Sequence, residues 1–135
     1  MIYLDSSALL KLLVEESESA ALESWLSDQA TTPIVSSELA RLEVVRAARR
    51  LDAAVVPAAR ALVSQVDLIP LTIGLIDEAA DVGEPALRSL DAIHLVSALS
   101  IAGELTAFVA YDERLVAAAE AAKLDVRRPG VGTTN

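Results

Sequence analysis

Cysteine is absent from the chain. A disulfide framework and a thiolate zinc site are thereby excluded, and the reducing cytosol becomes the expected compartment. Histidine occurs once, as His94, so a three-histidine catalytic zinc site cannot be assembled. No apolar run approaches the roughly 20 residues of a membrane span, and the opening MIYLDSSALL has no basic segment and is broken by Asp5. Neither a membrane anchor nor a secretory leader is expected. The phosphate-cradling loops G-x-x-x-x-G-K-[ST] and G-x-G-x-x-G are missing. So is the G-x-S-x-G elbow that a triad of Ser6 or Ser7 with His94 would need. His94, with Asp91 three residues earlier and Ile93 and Leu95 beside it, reads either as a satisfied helix histidine, the commoner case, or as a proton-transfer group.

What is present is an acidic chain of 135 residues with a formal net charge of −9 and a pI near 4.5. That length makes one domain, able to bury roughly two-thirds of the surface its unfolded chain exposes. The net charge repels phosphate backbones at long range, so an RNA or DNA partner has to be held by local features such as bound cations and arginines. Of 11 basic residues only Lys11 and Lys123 are lysines, while Arg41, Arg46, Arg49, Arg50 and Arg60 crowd the middle third. This cluster has two readings: a solvated helix face balanced by Glu38 and Glu43, or a set of phosphate contacts.

The apolar run 1–4 predicts a buried strand, and 6–14 a helix with Leu9, Leu10, Leu12 and Leu13 around most of its circumference. A second helix is predicted over 17–29, with Ala21, Leu22, Trp25 and Leu26 inside. Apolar coverage of these two helices exceeds what one core face needs, which predicts a homodimer. A strand at 32–36 precedes the capping sequence Ser36-Ser37-Glu38-Leu39 and a helix to about 51. Further helices are expected over 56–66 behind Pro57, from 72 to about 83, from Ser89 or Asp91 to 103, and over 112–123. Strands are expected at 67–71, 107–111 and 126–127. Five apolar strands alternating with helices predict an α/β fold: a three-layer α/β/α sandwich around a parallel sheet, filling residues 1–128. The tail 129–135 has nothing to bury and is expected to fray.

Four carboxylates stand out. Asp5 and Asp112 directly follow apolar runs and so sit just past the carboxyl ends of predicted strands, the edge at which open α/β sheets bind ligands. Asp91 lies at the start of a predicted helix. For these three the plain alternative is an N-cap, in which a carboxylate accepts the free amide hydrogens of the first turn. Capping and metal ligation can coexist, because a carboxylate has two oxygens. Glu43 falls mid-helix in a largely apolar row with Leu39, Ala40 and Ala47. Its alternative is a surface pair with Arg46, worth only a few tenths of a kcal/mol. An inward carboxylate is costly without a counter-charge, so a cation is the more economical partner. Four hard oxygen donors suit one or two Mg²⁺ or Mn²⁺ ions, which activate water and stabilise a leaving oxygen at phosphorus. Arg88, three residues before Asp91, is either near that pocket or a surface arginine.

The segments MIYLDSSALLKL, Ser37-Glu38-Leu39-Ala40-Arg41-Leu42-Glu43-Val44-Val45-Arg46-Ala47, Leu87-Arg88-Ser89-Leu90-Asp91-Ala92-Ile93-His94-Leu95 and Phe108-Val109-Ala110-Tyr111-Asp112-Glu113-Arg114-Leu115 resemble the four blocks of PIN-domain ribonucleases. The likeness is strongest to VapC-type toxins of bacterial toxin–antitoxin pairs. The blocks keep the family's order and spacing from residue 1 to about 127. The resemblance implies a Mg²⁺- or Mn²⁺-dependent endoribonuclease in which Asp5, Glu43, Asp91 and Asp112 bind the metal. It also implies a homodimer silenced by a cognate antitoxin protein. One departure is Ala110, where many relatives carry a threonine; Ser6 is a candidate source of the missing hydroxyl. Two rivals remain in view: an acid-pocket phosphatase, disfavoured because no Asp-x-Asp follows the first strand, and a catalytically idle PIN-like module that binds protein or RNA.

Overall fold

Ile2, Tyr3 and Leu4 have no exposed surface at all, as befits the middle strand of a sheet covered on both faces. The structure, a computed structural model, describes residues 1–132; residues 133–135, part of the segment expected to fray, lie outside the described residues. In chain order the elements are β1 (Ile2–Leu4), α1 (Ser6–Leu13), α2 (Ser19–Ser27), β2 (Ile34–Ser37), α3 (Glu38–Leu51), α4 (Val56–Ser64), β3 (Asp67–Ile69), α5 (Ile73–Asp81), α6 (Ser89–Leu99), β4 (Ala107–Val109), α7 (Glu113–Ala121) and β5 (Val126–Arg127). The strands form one parallel sheet in the order β3-β2-β1-β4-β5. The chain therefore winds outward from β1 through β2 to β3, then returns to lay β4 along the other side of β1. That reversal makes a crevice at the carboxyl ends of β1 and β4.

Alternation along β1 divides the core. Ile2 and Leu4 join Ala107 and Val109 beneath α1, α2, α3 and α4, through Leu9, Leu22, Val44 and Val63. Tyr3 and Phe108 face the opposite way, against Leu95 of α6 and Leu115 and Ala119 of α7. Two helical layers thus sandwich the sheet, as the strand and helix pattern predicted. Each fully buried Leu, Val or Phe contributes on the order of 2 kcal/mol by removal from water.

Differences from the predicted boundaries have local causes. The strand expected over 107–111 stops at Val109, opposite Leu4, where the Asp5 amide donates to the Val109 carbonyl at 3.2 Å and the chain enters α1. Leu12, Leu13, Trp25 and Leu26, part of the apolar excess expected to cover a dimer contact, are partly buried against their own core and keep some exposed surface. Large apolar side chains that are exposed lie elsewhere, at Leu42 and Leu51 of α3, Ile73 and Ile76 of α5 and Leu90 of α6. In the C-terminal segment the Tyr111 hydroxyl donates to the Pro129 carbonyl at 2.9 Å. Gly130, at φ +90°, lies where a side chain would press on Ala21 and Glu18, so the described start of that segment is docked against α2.

Candidate active site

Asp5 and Asp112 flank the crevice between β1 and β4. Each ends its strand's run and caps the next helix, using one oxygen to do so. Oδ1 of Asp5 accepts from the Ala8 amide at 2.9 Å and the Ser7 hydroxyl at 2.8 Å. Oδ1 of Asp112 accepts from the Arg114 and Leu115 amides, both at 3.0 Å. The capping expectation is therefore met for these two. It fails for Asp91: α6 begins after Arg88 with no side-chain cap, and Asp91 lies within the first turn. That location suits a carboxylate, since the amino end of a helix carries partial positive charge. It leaves both Asp91 oxygens uncommitted among the described residues.

Glu43 turns inward as expected, but to partners the sequence did not name. It pairs with neither Arg46 nor solvent alone: Oε1 accepts from the Ser6 hydroxyl and lies 2.8 Å from Nε2 of His94. His94 is almost wholly buried, and its Nδ1 lies 2.7 Å from the Tyr3 hydroxyl. A carboxylate only accepts, so Nε2 carries a hydrogen, and in a neutral ring Nδ1 then accepts from the phenol. The chain Tyr3, His94, Glu43 joins the two helical layers across the carboxyl edge of the sheet. Sequence reading missed it because Tyr3, Glu43 and His94 are far apart in the chain. A buried polar tip on a central strand, calling for a partner, was the one available signal.

The acids act on one another. Burial pushes the Asp5 carboxyl above its ordinary value, against the pull of His94 and the hydrogen bonds from Ala8 and Ser7, and the Asp91 charge adds to the rise. Burial likewise raises Asp91, with the neighbouring Asp112 carboxylate next in effect and Glu43 contributing; His94 and Arg88 oppose it. For Glu43 burial also acts upward, but hydrogen bonds from His94 and Ser6 outweigh it and leave the group below its ordinary value. Asp91 is thus the hub through which all four carboxylates feel one another. Arg88 is exposed but close enough for its charge to act on Asp91.

Do these residues fit a divalent cation? Every carboxylate hydrogen bond described above uses a single oxygen, leaving Oδ2 of Asp5, Oε2 of Glu43, Oδ2 of Asp112 and both oxygens of Asp91 without a hydrogen bond among the described residues. Free carboxylate oxygens held close to like charges are suited to a hard cation. Among the described residues, however, no three His, Cys, Asp or Glu side chains stand close enough together to enclose a metal ion. A cavity of about 570 Å³ between α5 and α6, lined by Ile76, Ala79, Val82, Leu87 and Ile93 among others, contains none of the four acids.

The parallel sheet is thus covered on both faces, with Asp5 and Asp112 at its switch point. The chain belongs to the PIN domain family, whose model matches residues 2–121. It is 41% identical to Ribonuclease VapC47 of Mycobacterium tuberculosis over 133 residues, spanning 96% of this chain and 98% of the relative. To Ribonuclease VapC35 of the same species it is 42% identical over 132 residues, with the same coverage. The crystal structure of M. tuberculosis VapC20, described as a sarcin-ricin loop cleaving toxin, superposes with a TM-score of 0.72 at 19% identity, covering 96% of this chain and all of that one. Among the described residues no helix is long and apolar enough to cross a membrane.

Proposed function

We propose that this protein is an RNA-cleaving toxin of a toxin–antitoxin pair, a Mg²⁺- or Mn²⁺-dependent endoribonuclease with Asp5, Glu43, Asp91 and Asp112 as its metal-binding acids. Kinship with VapC ribonucleases over nearly the whole chain supports the activity. The observation that carries the site is the division of labour in Asp5, Glu43 and Asp112, each with one oxygen fixed by the fold and the other free, beside an Asp91 with both oxygens free among the described residues.

The metal would supply activated water and neutralise charge on the phosphate. The chain's own residues hold its ligands still. Capping bonds fix Asp5 and Asp112 to the starts of α1 and α7, and Ser6 and His94 together fix Glu43. Arg88 has no ion-pair partner among the described residues and can pair with a substrate phosphate beside Asp91. Attack by water in line leaves a 5′-phosphate and a 3′-hydroxyl and makes no use of the ribose 2′-hydroxyl.

The idle-module alternative is disfavoured because retaining four mutually repelling carboxylates serves no binding-only protein. The exposed apolar residues on α3, α5 and α6 support a homodimer. An antitoxin arginine paired with Asp5 and Asp91 would silence the site by competing with metal. The test is cleavage of a structured RNA by purified protein: activity with Mg²⁺ or Mn²⁺, none in excess EDTA, and none in Asp91→Asn. Full cleavage in EDTA, or by Asp91→Asn, would refute the assignment.

A further inference from the structure

Arg46, Arg49 and Arg50 line a concavity of about 200 Å³ on the outer face of α3. All three are exposed, and none forms an ion pair among the described residues, although the chain carries 20 acidic residues. The acids nearest in sequence are occupied elsewhere. Oε1 of Glu38 accepts from the Leu71 amide, Oε1 of Glu43 from Ser6 and His94, and Oδ1 of Asp52 from the Ala54 amide. A helix face balanced by its own carboxylates is therefore not what the structure contains. The helix dipole favours a cation in the last turn and accounts for Arg49 or Arg50 taken singly. It gives no reason for three guanidinium groups round one hollow.

Position supplies the reason. Arg46 and Arg50 follow Glu43 by three and seven residues, which places them on the same stripe of α3. Seven residues of helix advance about 10 Å, the scale of a few nucleotides. Resting on the ribonuclease reading, we propose that Arg46, Arg49 and Arg50 form a phosphate-docking surface that seats the RNA backbone to one side of the acidic site. Guanidinium forks match phosphate oxygens in pairs, and an unpaired local cluster is what a chain of net charge −9 needs to hold a polyanion.

The test uses the full-length chain made non-cleaving by Asp91→Asn, a fluorescein-labelled 20-nucleotide oligouridylate, and anisotropy in Mg²⁺ across a salt series. Adding Arg49→Gln and Arg50→Gln should weaken binding and flatten the plot of log affinity against log salt by about 1.4, since each single-strand phosphate contact contributes roughly 0.7. Lys123→Gln with Arg127→Gln, the same charge change near the far edge strand β5, should leave the slope unaltered. If the wild-type chain cleaves RNA while the Arg49/Arg50 variant keeps the parent slope, the docking surface is refuted and the ribonuclease reading stands. If the parent does not bind and the wild type does not cleave, both fall. An unaltered RNA slope together with lost binding to poly-glutamate would hand the surface to an acidic protein partner and overturn the proposal.

Discussion

Replacing Tyr3 with phenylalanine tests whether the buried chain from β1 to Glu43 is a maintained structure. The tyrosine ring is fully buried, stacked on Phe108 at 5.3 Å and set edge-on to His94 at 5.9 Å. Phenylalanine keeps those contacts and opens no cavity; only the hydroxyl is lost. Burial pushes the Tyr3 phenol far above its ordinary value, and the Asp5 carboxylate adds to the rise, so the group is protonated and available to donate at neutral pH. Without it Nδ1 of His94 is a buried acceptor with no partner, at a cost of about 1 to 3 kcal/mol. For a domain of this size about 1.5 kcal/mol lowers Tm by roughly 6 °C. Because the chain has one histidine, nitrogen-15 histidine labelling reports His94 alone, with no assignment needed. The wild-type spectrum of the neutral ring should show a protonated Nε2 and an unprotonated Nδ1, and Tyr3→Phe should shift the Nδ1 resonance. A Tm within about 1 °C of wild type, or a wild-type ring protonated at Nδ1, would refute this reasoning.

Other outcomes follow from the same geometry. Asp91→Asn should leave the metal-free Tm unchanged or raised, since it relieves repulsion from Asp112 without removing a hydrogen bond; a sharp fall would make Asp91 a structural group. Asp5→Ala should fold less stably than Asp5→Asn, because asparagine keeps the oxygen that caps α1, by about 1 kcal/mol in denaturant titration; equal stabilities would discount the cap. The raised Asp5 and Asp91 contribute stability that is present below the unfolded value of 3.8 and lost as pH rises through their folded values. Glu43 is opposite in sign, its contribution present above 4.5 and lost as pH falls through its lowered folded value. In EDTA, Tm should therefore rise on moderate acidification from neutrality; a steady decline from pH 7 to 5 would contradict it. A single 2′-deoxy sugar at the cleavage position should still permit cutting, and complete protection with a cyclic phosphate end would move attention to His94.

How much of this was legible beforehand depends on how far each feature reaches along the chain. The layers, the parallel sheet and its five strands follow from local periodicity, which a sequence displays directly. The end of β4 was overshot because Ala110 is as buried as the strand before it, so apolarity alone could not show where the ladder stops. Asp5 and Asp112 were legible because the carboxyl edge of a parallel sheet is a position that strand boundaries define. The partners of Glu43 were not: Ser6 is 37 residues away and His94 is 51 residues away in the opposite helical layer. Reasoning from neighbours three and four residues along the helix could offer only Arg46. That difference bears on function as well as folding. With Glu43 held by His94 and Ser6, Arg46 is released to act outward, and the arginine stripe becomes available to an anion. Glu43 is the inward carboxylate that its apolar row implied, but the partners that hold it are Ser6 and His94, and Arg46, its alternative partner, lies on the surface beside it.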